Sequence, residues 1–213
     1  MVTESSKKWL ARQKKDRFVK MAREQGLRSR AVFKLREMQE KVDIIRKDMR
    51  VLELGAAPGS WTYELAEWVG PNGKIFAIVT LAMNPIPGVE IQQMDITSEE
   101  YQQWQELTLK STKIDCVVSD IAPNTSGDRR TDQLRQEAIG EAICEIAEEV
   151  LSEDGAILMK TFHGHAFDSL LKRLRLSYKQ VKVLKPAASQ RSKHEVYLYA
   201  SCPKTTPRSP LNE

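Results

Sequence analysis

Short apolar runs alternate with helical stretches along this chain, and that alternation leaves few folds open. Residues 50–54 (RVLEL), 74–79 (KIFAIV), 89–94 (VEIQQM), 114–119 (IDCVVS) and 156–162 (AILMKTF) have the length and residue types of strands. Residues 60–69, 98–108 and about 131–151 read as helices between them. In the last of these, Ala138, Ile139, Ala142, Ile143, Ile146, Ala147 and Val150 fall on one face. Phe167, Leu170, Leu171 and Leu174 mark a further helix. Ala31, Val32, Leu35, Met38 and Val42 mark one over 29–41 that precedes the first strand. Such alternation predicts an α/β fold, with a parallel sheet and helices on both faces. Two more β-rich runs, 179–184 and 195–200, have no room for a helix between them. They must pair like a hairpin, so the expected sheet has seven strands, mostly parallel, with one antiparallel.

In an open parallel sheet, ligands sit beyond the C-terminal ends of the strands. The stretch "LELGAAPGSW" (52–61) leaves the first strand at that place. Gly55 and Gly59 let the backbone come close to a ligand, although a structural glycine turn would read the same. The spacing is G-x-x-x-G rather than G-x-G-x-x-G, and no Gly-Lys-Ser/Thr follows, so neither a dinucleotide fingerprint nor a P-loop fits. Glu53 ends the first strand, Asp95 follows the third and Asp120 the fourth. Three acids on one rim would repel a pyrophosphate and attract a ligand carrying a sulfonium and an ammonium, as S-adenosylmethionine does. Helix N-capping is the other reading of Asp95 and Asp120.

Charge is unevenly spread. Residues 1–50 hold 16 Lys and Arg against 7 Asp and Glu, a net of +9, while the whole chain carries only +4. A second basic stretch, 172–193, has eight Lys or Arg and no acid. This is the layout of a polyanion binder. No apolar run approaches the roughly 20 residues of a membrane span, and the basic N-terminus does not read as a secretory leader. Cys116, Cys144 and Cys202 are an odd set without paired spacing, which points to reduced thiols and a cytoplasmic setting.

Five blocks, taken in order, resemble one family. "GLRSRAVFKL" (26–35), "LELGAAPGSW" (52–61), "SDIAPNTSG" (119–127), "MKTF" (159–162) and "SKHEVYL" (192–198) are similar to the FtsJ/RrmJ-type (RlmE) ribosomal RNA large-subunit 2′-O-ribose methyltransferases. The likeness spans roughly residues 7–203. It implies a Rossmann-like S-adenosylmethionine-dependent methyltransferase fold acting on a uridine ribose of large-subunit rRNA in an assembling particle. It implies a catalytic set of Lys34, Asp120, Lys160 and Glu195, and a cofactor site at Gly55, Gly59, Trp61 and Asp95, with Glu53 and Asp120 on its acidic rim. The organisation that follows is a basic RNA-binding arm (1–28), a methyltransferase domain (29–203) and a disordered tail (204–213), working as a monomer without a metal. One position departs from the family pattern. The second strand of such proteins ends in an acid that holds the cofactor's ribose hydroxyls, and here Val79 stands there, leaving backbone groups and Thr80.

Methyl transfer to a sugar hydroxyl needs alignment and a base for one proton. Lys160, leaving the fifth strand at the ligand edge, is the candidate base. Free lysine titrates near 10.4, so a lysine base requires neighbours that favour its neutral form. Lys34 and the sulfonium are expected to act so by like-charge repulsion, while Asp120 orients Lys160. Glu195 is expected to position Lys34 or the RNA. His163 and His165 read as loop residues rather than a metal pair. Trp9 either stacks on a base or packs under the arm. Three functions stay open on these residues: rRNA ribose methylation, tRNA ribose methylation, and a catalytically idle RNA-binding assembly factor that Val79 keeps in play. The glycine spacing and acidic rim argue against a dehydrogenase.

Overall fold

The computed structural model describes residues 17–123, 126–189 and 194–204. The expectations for Trp9, the first 16 residues of the arm, and the tail from residue 205 lie outside these residues. So do positions 124–125 and 192–193 of two family blocks, and residues 190–191.

Helices α1 (Arg17–Glu24) and α2 (Ala31–Val42) precede the sheet. Then come β1 (Arg50–Leu54), α3 (Ser60–Val69), β2 (Lys74–Val79), β3 (Val89–Gln93), α4 (Glu99–Leu109) and β4 (Ile114–Ser119). The chain continues through α5 (Arg129–Val150), β5 (Leu151–Phe162), α6 (His165–Ser177), β6 (Tyr178–Leu184) and β7 (Glu195–Pro203). The seven strands form one sheet in the order β3-β2-β1-β4-β5-β7-β6. β7 alone is reversed: it pairs antiparallel with both β5 and β6, and the other paired strands run parallel. The expected single antiparallel strand is β7.

Several element boundaries differ from expectation, two of them with a cause visible in the structure. β5 begins at Leu151 rather than 156, because Leu151 pairs with Ile114 ahead of a register irregularity. The polar "SEDG" (152–155), a composition that ordinarily interrupts regular structure, is therefore carried in extended backbone. α5 begins two residues early, because Asp128 caps it by accepting the Thr131 N–H at 2.7 Å.

The central strands bury both faces, which is why they read as continuous apolar runs. On one face Leu52, Leu54, Phe76, Ile78, Val117, Ile157 and Met159 meet residues of α4, α5 and α6. On the other, Val51, Ile75, Cys116, Val118, Leu158 and Tyr197 meet Leu35 and Met38 of α2 and Trp61 and Leu65 of α3. No helix among the described residues is long and apolar enough to cross a membrane.

The second face carries the polar residues of interest. β1 lies between β2 and β4, so the chain changes direction across the sheet at β1–β4. The crevice above that switch point is bounded by the loops after β1 and β4.

Candidate active site

Side-chain alternation decides what meets at the carboxyl edge. Lys160 pairs with Tyr197 across β5–β7, and Phe162 with Glu195. Residues two apart on a strand share a face, so Lys160, Glu195 and Tyr197 lie on the α2 side. Asp120 leaves β4 next to them, since Val118 pairs with Leu158 two residues earlier and Ser119 with Met159 one residue earlier.

α2 adds Lys34 from above, and three contacts tie that helix and the residues just before it to α3. The Trp61 indole N–H donates to Ala31 O at 2.8 Å, and the Ser60 hydroxyl to Ser29 Oγ at 2.7 Å. Arg36 forks onto both Glu64 oxygens at 2.7 and 2.6 Å. Such paired bonds fix direction as well as distance.

The result is one connected set. Lys160 Nζ lies 2.9 Å from Asp120 Oδ1 and also donates to the Asp120 carbonyl. Lys34 Nζ forms an ion pair with Glu195 Oε1 at 2.6 Å and donates to Tyr197 Oη at 3.3 Å. Tyr197 Oη in turn donates to Asp120 Oδ1 at 2.6 Å. Burial raises the Tyr197 phenol well above its ordinary range, and the nearby Asp120 and Glu195 carboxylates push the same way. It therefore stays protonated and remains a donor. Lys34, Asp120, Lys160 and Glu195, far apart in sequence, are joined through a hydroxyl that the sequence reading gave no role. Tyr197 was visible as the residue two after Glu195 on a strand. One expectation needs correction: Lys34 is matched by the Glu195 carboxylate, so it is a compensated cation and exerts little like-charge repulsion on Lys160.

The rim beside this set is built from strand ends. Glu53 is only 3% exposed, and its Oε2 has no hydrogen-bond partner among the described residues. Burial drives its carboxyl up to about 8; Thr62 partly offsets that, and the Asp120 charge adds to it. Gly55 and Gly59 both have positive φ, 77° and 88°. A Cβ on Gly55 would strike Ile121 at 2.3 Å, so packing as well as ligand approach demands glycine there. Trp61 is 2% exposed and its indole N–H is already used, which leaves only its backbone, in the first turn of α3, to face a ligand.

Asp95 is exposed at the end of β3. Its Oδ1 accepts the Thr97 hydroxyl at 2.6 Å and the Thr97 N–H at 2.8 Å, and these bonds hold its carboxyl below the usual range. It precedes α4 without capping it, because Ser98 is the N-cap. Asp120 does not cap α5 either, that place being taken by Asp128. Val79 is 1% exposed among Ala56 and Ala77. His163 meets Phe167 in a tilted ring contact with centroids 4.8 Å apart, and His165 opens α6 rather than lying in a loop. No group of three or more His, Cys, Asp or Glu among the described residues could hold a metal ion. Cys116 and Cys144 are buried free thiols, and Cys202 is free and half-buried.

A second feature missed in the sequence is Arg28. It donates to Pro58 O at 2.7 Å and to Tyr63 Oη at 3.0 Å, with its guanidinium 4.4 Å over the Tyr63 ring. The segment before α2 is thereby fastened to the glycine turn. Its place in "GLRSRAVFKL" was the available signal.

An acid-rimmed crevice at the switch point of a sheet with this strand order, next to a lysine–carboxylate set, defines a Rossmann-like methyltransferase. The particular family follows from the sequence: residues 27–201 match the FtsJ-like methyltransferases, and the chain belongs to that family. It is 39% identical over 197 residues to ribosomal RNA large subunit methyltransferase E of Francisella tularensis, covering 92% of this chain and 96% of the relative. Among solved structures, a ribosomal RNA methyltransferase of Plasmodium falciparum superposes with a TM-score of 0.72 at 27% identity, over 82% of this chain and 97% of that one. Aeropyrum pernix fibrillarin, solved with natively bound S-adenosyl-L-methionine, shares the fold with a TM-score of 0.53 at 14% identity, over 74% and 68% of the two chains.

Proposed function

We propose that this protein methylates a ribose 2′-hydroxyl, that of a uridine in large-subunit ribosomal RNA, with S-adenosylmethionine as donor and an assembling ribosomal particle as substrate. The observation that carries the reading is the Lys34–Tyr197–Asp120–Lys160 connection at the ligand edge. The names of the relatives at 39% and 27% identity support ribosomal RNA as the acceptor.

The residues present fit the donor. Glu53 offers a buried, unpartnered carboxylate oxygen suited to an ammonium. Asp95 offers an ionised carboxylate with Oδ2 unpartnered among the described residues, suited to an adenine amino group. The first turn of α3 adds backbone N–H groups without intrahelical acceptors, where Trp61 and its neighbours would meet the amino-acid end. When bound, the donor supplies a methyl group activated on a sulfonium.

The chain's residues manage alignment and one proton. Lys160, in its neutral form, takes the proton from the ribose hydroxyl as that oxygen becomes nucleophilic. Asp120 fixes the Lys160 amine through its carboxylate and its carbonyl, and holds the Tyr197 hydroxyl. Lys34, held by Glu195, donates to the Tyr197 hydroxyl and so braces the group that holds Asp120. Much of the rate comes from this alignment. The basic segment 1–28 serves as the RNA-binding arm ahead of the methyltransferase domain 29–203, and the protein works in the cytoplasm as a monomer without a metal.

Mass-spectrometric mapping of rRNA ribose methylation with and without the protein tests the proposal. A single 2′-O-methyl uridine that depends on the protein supports it; an unchanged map refutes it. Purified tRNA offered alongside ribosomal particles separates the rRNA reading from the tRNA one.

A further inference from the structure

The end of β2 is tied to the glycine turn. Ile78 O accepts both the Gly55 N–H at 2.9 Å and the Ala56 N–H at 3.1 Å. In sheets of this kind, an acid at that strand end takes the hydroxyls of a nucleoside's ribose. Here the position is Val79, 1% exposed in an apolar cluster with Ala56 and Ala77, against which Ala57, Met83 and Ile91 pack.

Among the described residues, no carboxylate at the end of β2 or on its neighbour β3 replaces the missing charge. Gln93 is the register partner of Val79 and sends its amide N–H to Thr80 O at 3.4 Å. Thr80 and Gln93 are both exposed. Of the carboxylates of β3 and its end, Glu90 pairs with Lys74 at 3.2 Å, and Asp95, its Oδ1 held by Thr97, has only Oδ2 left, the atom assigned to the adenine amino group. The rim facing the ribose is therefore apolar, with neutral, solvated groups around it.

We infer that Val79 removes ribose reading from cofactor recognition in this chain, which binds adenosyl ligands by their amino-acid and adenine ends and accepts those whose ribose 2′- or 3′-hydroxyl is missing or substituted. The inference rests on the proposed S-adenosylmethionine site. Its physical basis is that a site built to bond a hydroxyl rejects the analogue lacking it by about 10⁴-fold or more, because the site's own polar groups are then left unpaired. Val79 has no polar group to leave unpaired. Thr80 and Gln93 exchange a ribose hydroxyl for water at little net gain, since neutral hydrogen bonds are about half as strong as charge-assisted ones.

Calorimetric titration of the unmodified protein with S-adenosylhomocysteine and with its 2′-deoxy and 3′-deoxy analogues tests this directly. The three dissociation constants are expected to agree within about tenfold, and Val79→Asp is expected to favour the ribo ligand by more than about tenfold. Circular dichroism and a thermal melt check that variant's fold, and the comparison on the unmodified protein stands without it. A preference of the unmodified protein for the ribo ligand well beyond tenfold overturns the inference while leaving the cofactor site intact. Failure of all three ligands to bind at millimolar concentration overturns the cofactor reading, and the inference with it.

Discussion

Binding of an adenosyl ligand should release a proton from Glu53. In the free protein this carboxyl is buried and titrates at about 8. At pH 7 it is therefore about nine-tenths protonated. An ammonium delivered to its unpartnered oxygen favours the carboxylate, because an opposite charge within about 4–6 Å lowers the pKa by one to three units. Complex formation at pH 7 should thus release about 0.4 to 0.9 of a proton from this group. S-adenosylhomocysteine carries the same amino-acid end and does not turn over. Titrating it calorimetrically at pH 7, in buffers of different ionisation heat, gives the net proton count. Repeating this with Glu53→Gln isolates the residue, since the ligand's own amine contributes equally to both. The unmodified protein should release up to about 0.9 proton more than the variant. Equal release from the two would refute the assignment of Glu53 to the ammonium. The same shift has a consequence for stability. Glu53's folded value lies above its ordinary 4.5, so the ligand-free protein binds the extra proton only when folded. Its contribution is full below about 4.5 and fades as pH rises through about 8, by about 1.4 kcal/mol per unit. Thermal melts should show this decline in the unmodified protein and a flatter profile in Glu53→Gln.

Lys160→Ala should lower methyl transfer by at least about 10²-fold, as expected for loss of a general base, with ligand affinity within a few-fold by calorimetry. Activity close to normal would remove Lys160 from the base role. Tyr197→Phe keeps the ring that packs beside Trp61 at 5.9 Å but loses the hydroxyl joining Lys34 to Asp120. It should reduce kcat by about tenfold, the loss from one hydrogen bond to a charged group, without changing ligand affinity; an unchanged kcat would show the connection to be structural only. Lys14→Glu with Lys15→Glu should weaken RNA binding and flatten its salt dependence by about two in log–log slope. An unchanged slope would mean that the arm does not touch phosphate.

Much of the fold was legible because periodicity is local. Val51, Leu52 and Leu54 announce a strand buried on both faces, and the run from Ala138 to Val150 announces a helix with one buried stripe. Failures came where local chemistry met a distant partner. "SEDG" signals a break, yet Leu151 ahead of it pairs with Ile114 and keeps the backbone extended. Asp128 was passed over as a cap because its role depends on the first turn of α5.

The site divides the same way. Glu53, Asp95, Asp120 and Val79 can be placed from sequence alone, since a strand end in a parallel sheet has a known edge. What the three-dimensional packing decided is how these groups are charged and joined. Glu53's titration near 8 is a product of burial beneath α3, and no neighbour in sequence produces it. Lys34 reaches Glu195 only because Arg36, Trp61 and Ser60 hold α2 against α3, and Tyr197 joins the set because β7 runs antiparallel to β5. Residue order thus determined the layers, the ligand edge and the missing acid at β2. Electrostatic coupling falls steeply with distance and with water content, so the chemistry of the edge was set only when packing brought the chain together.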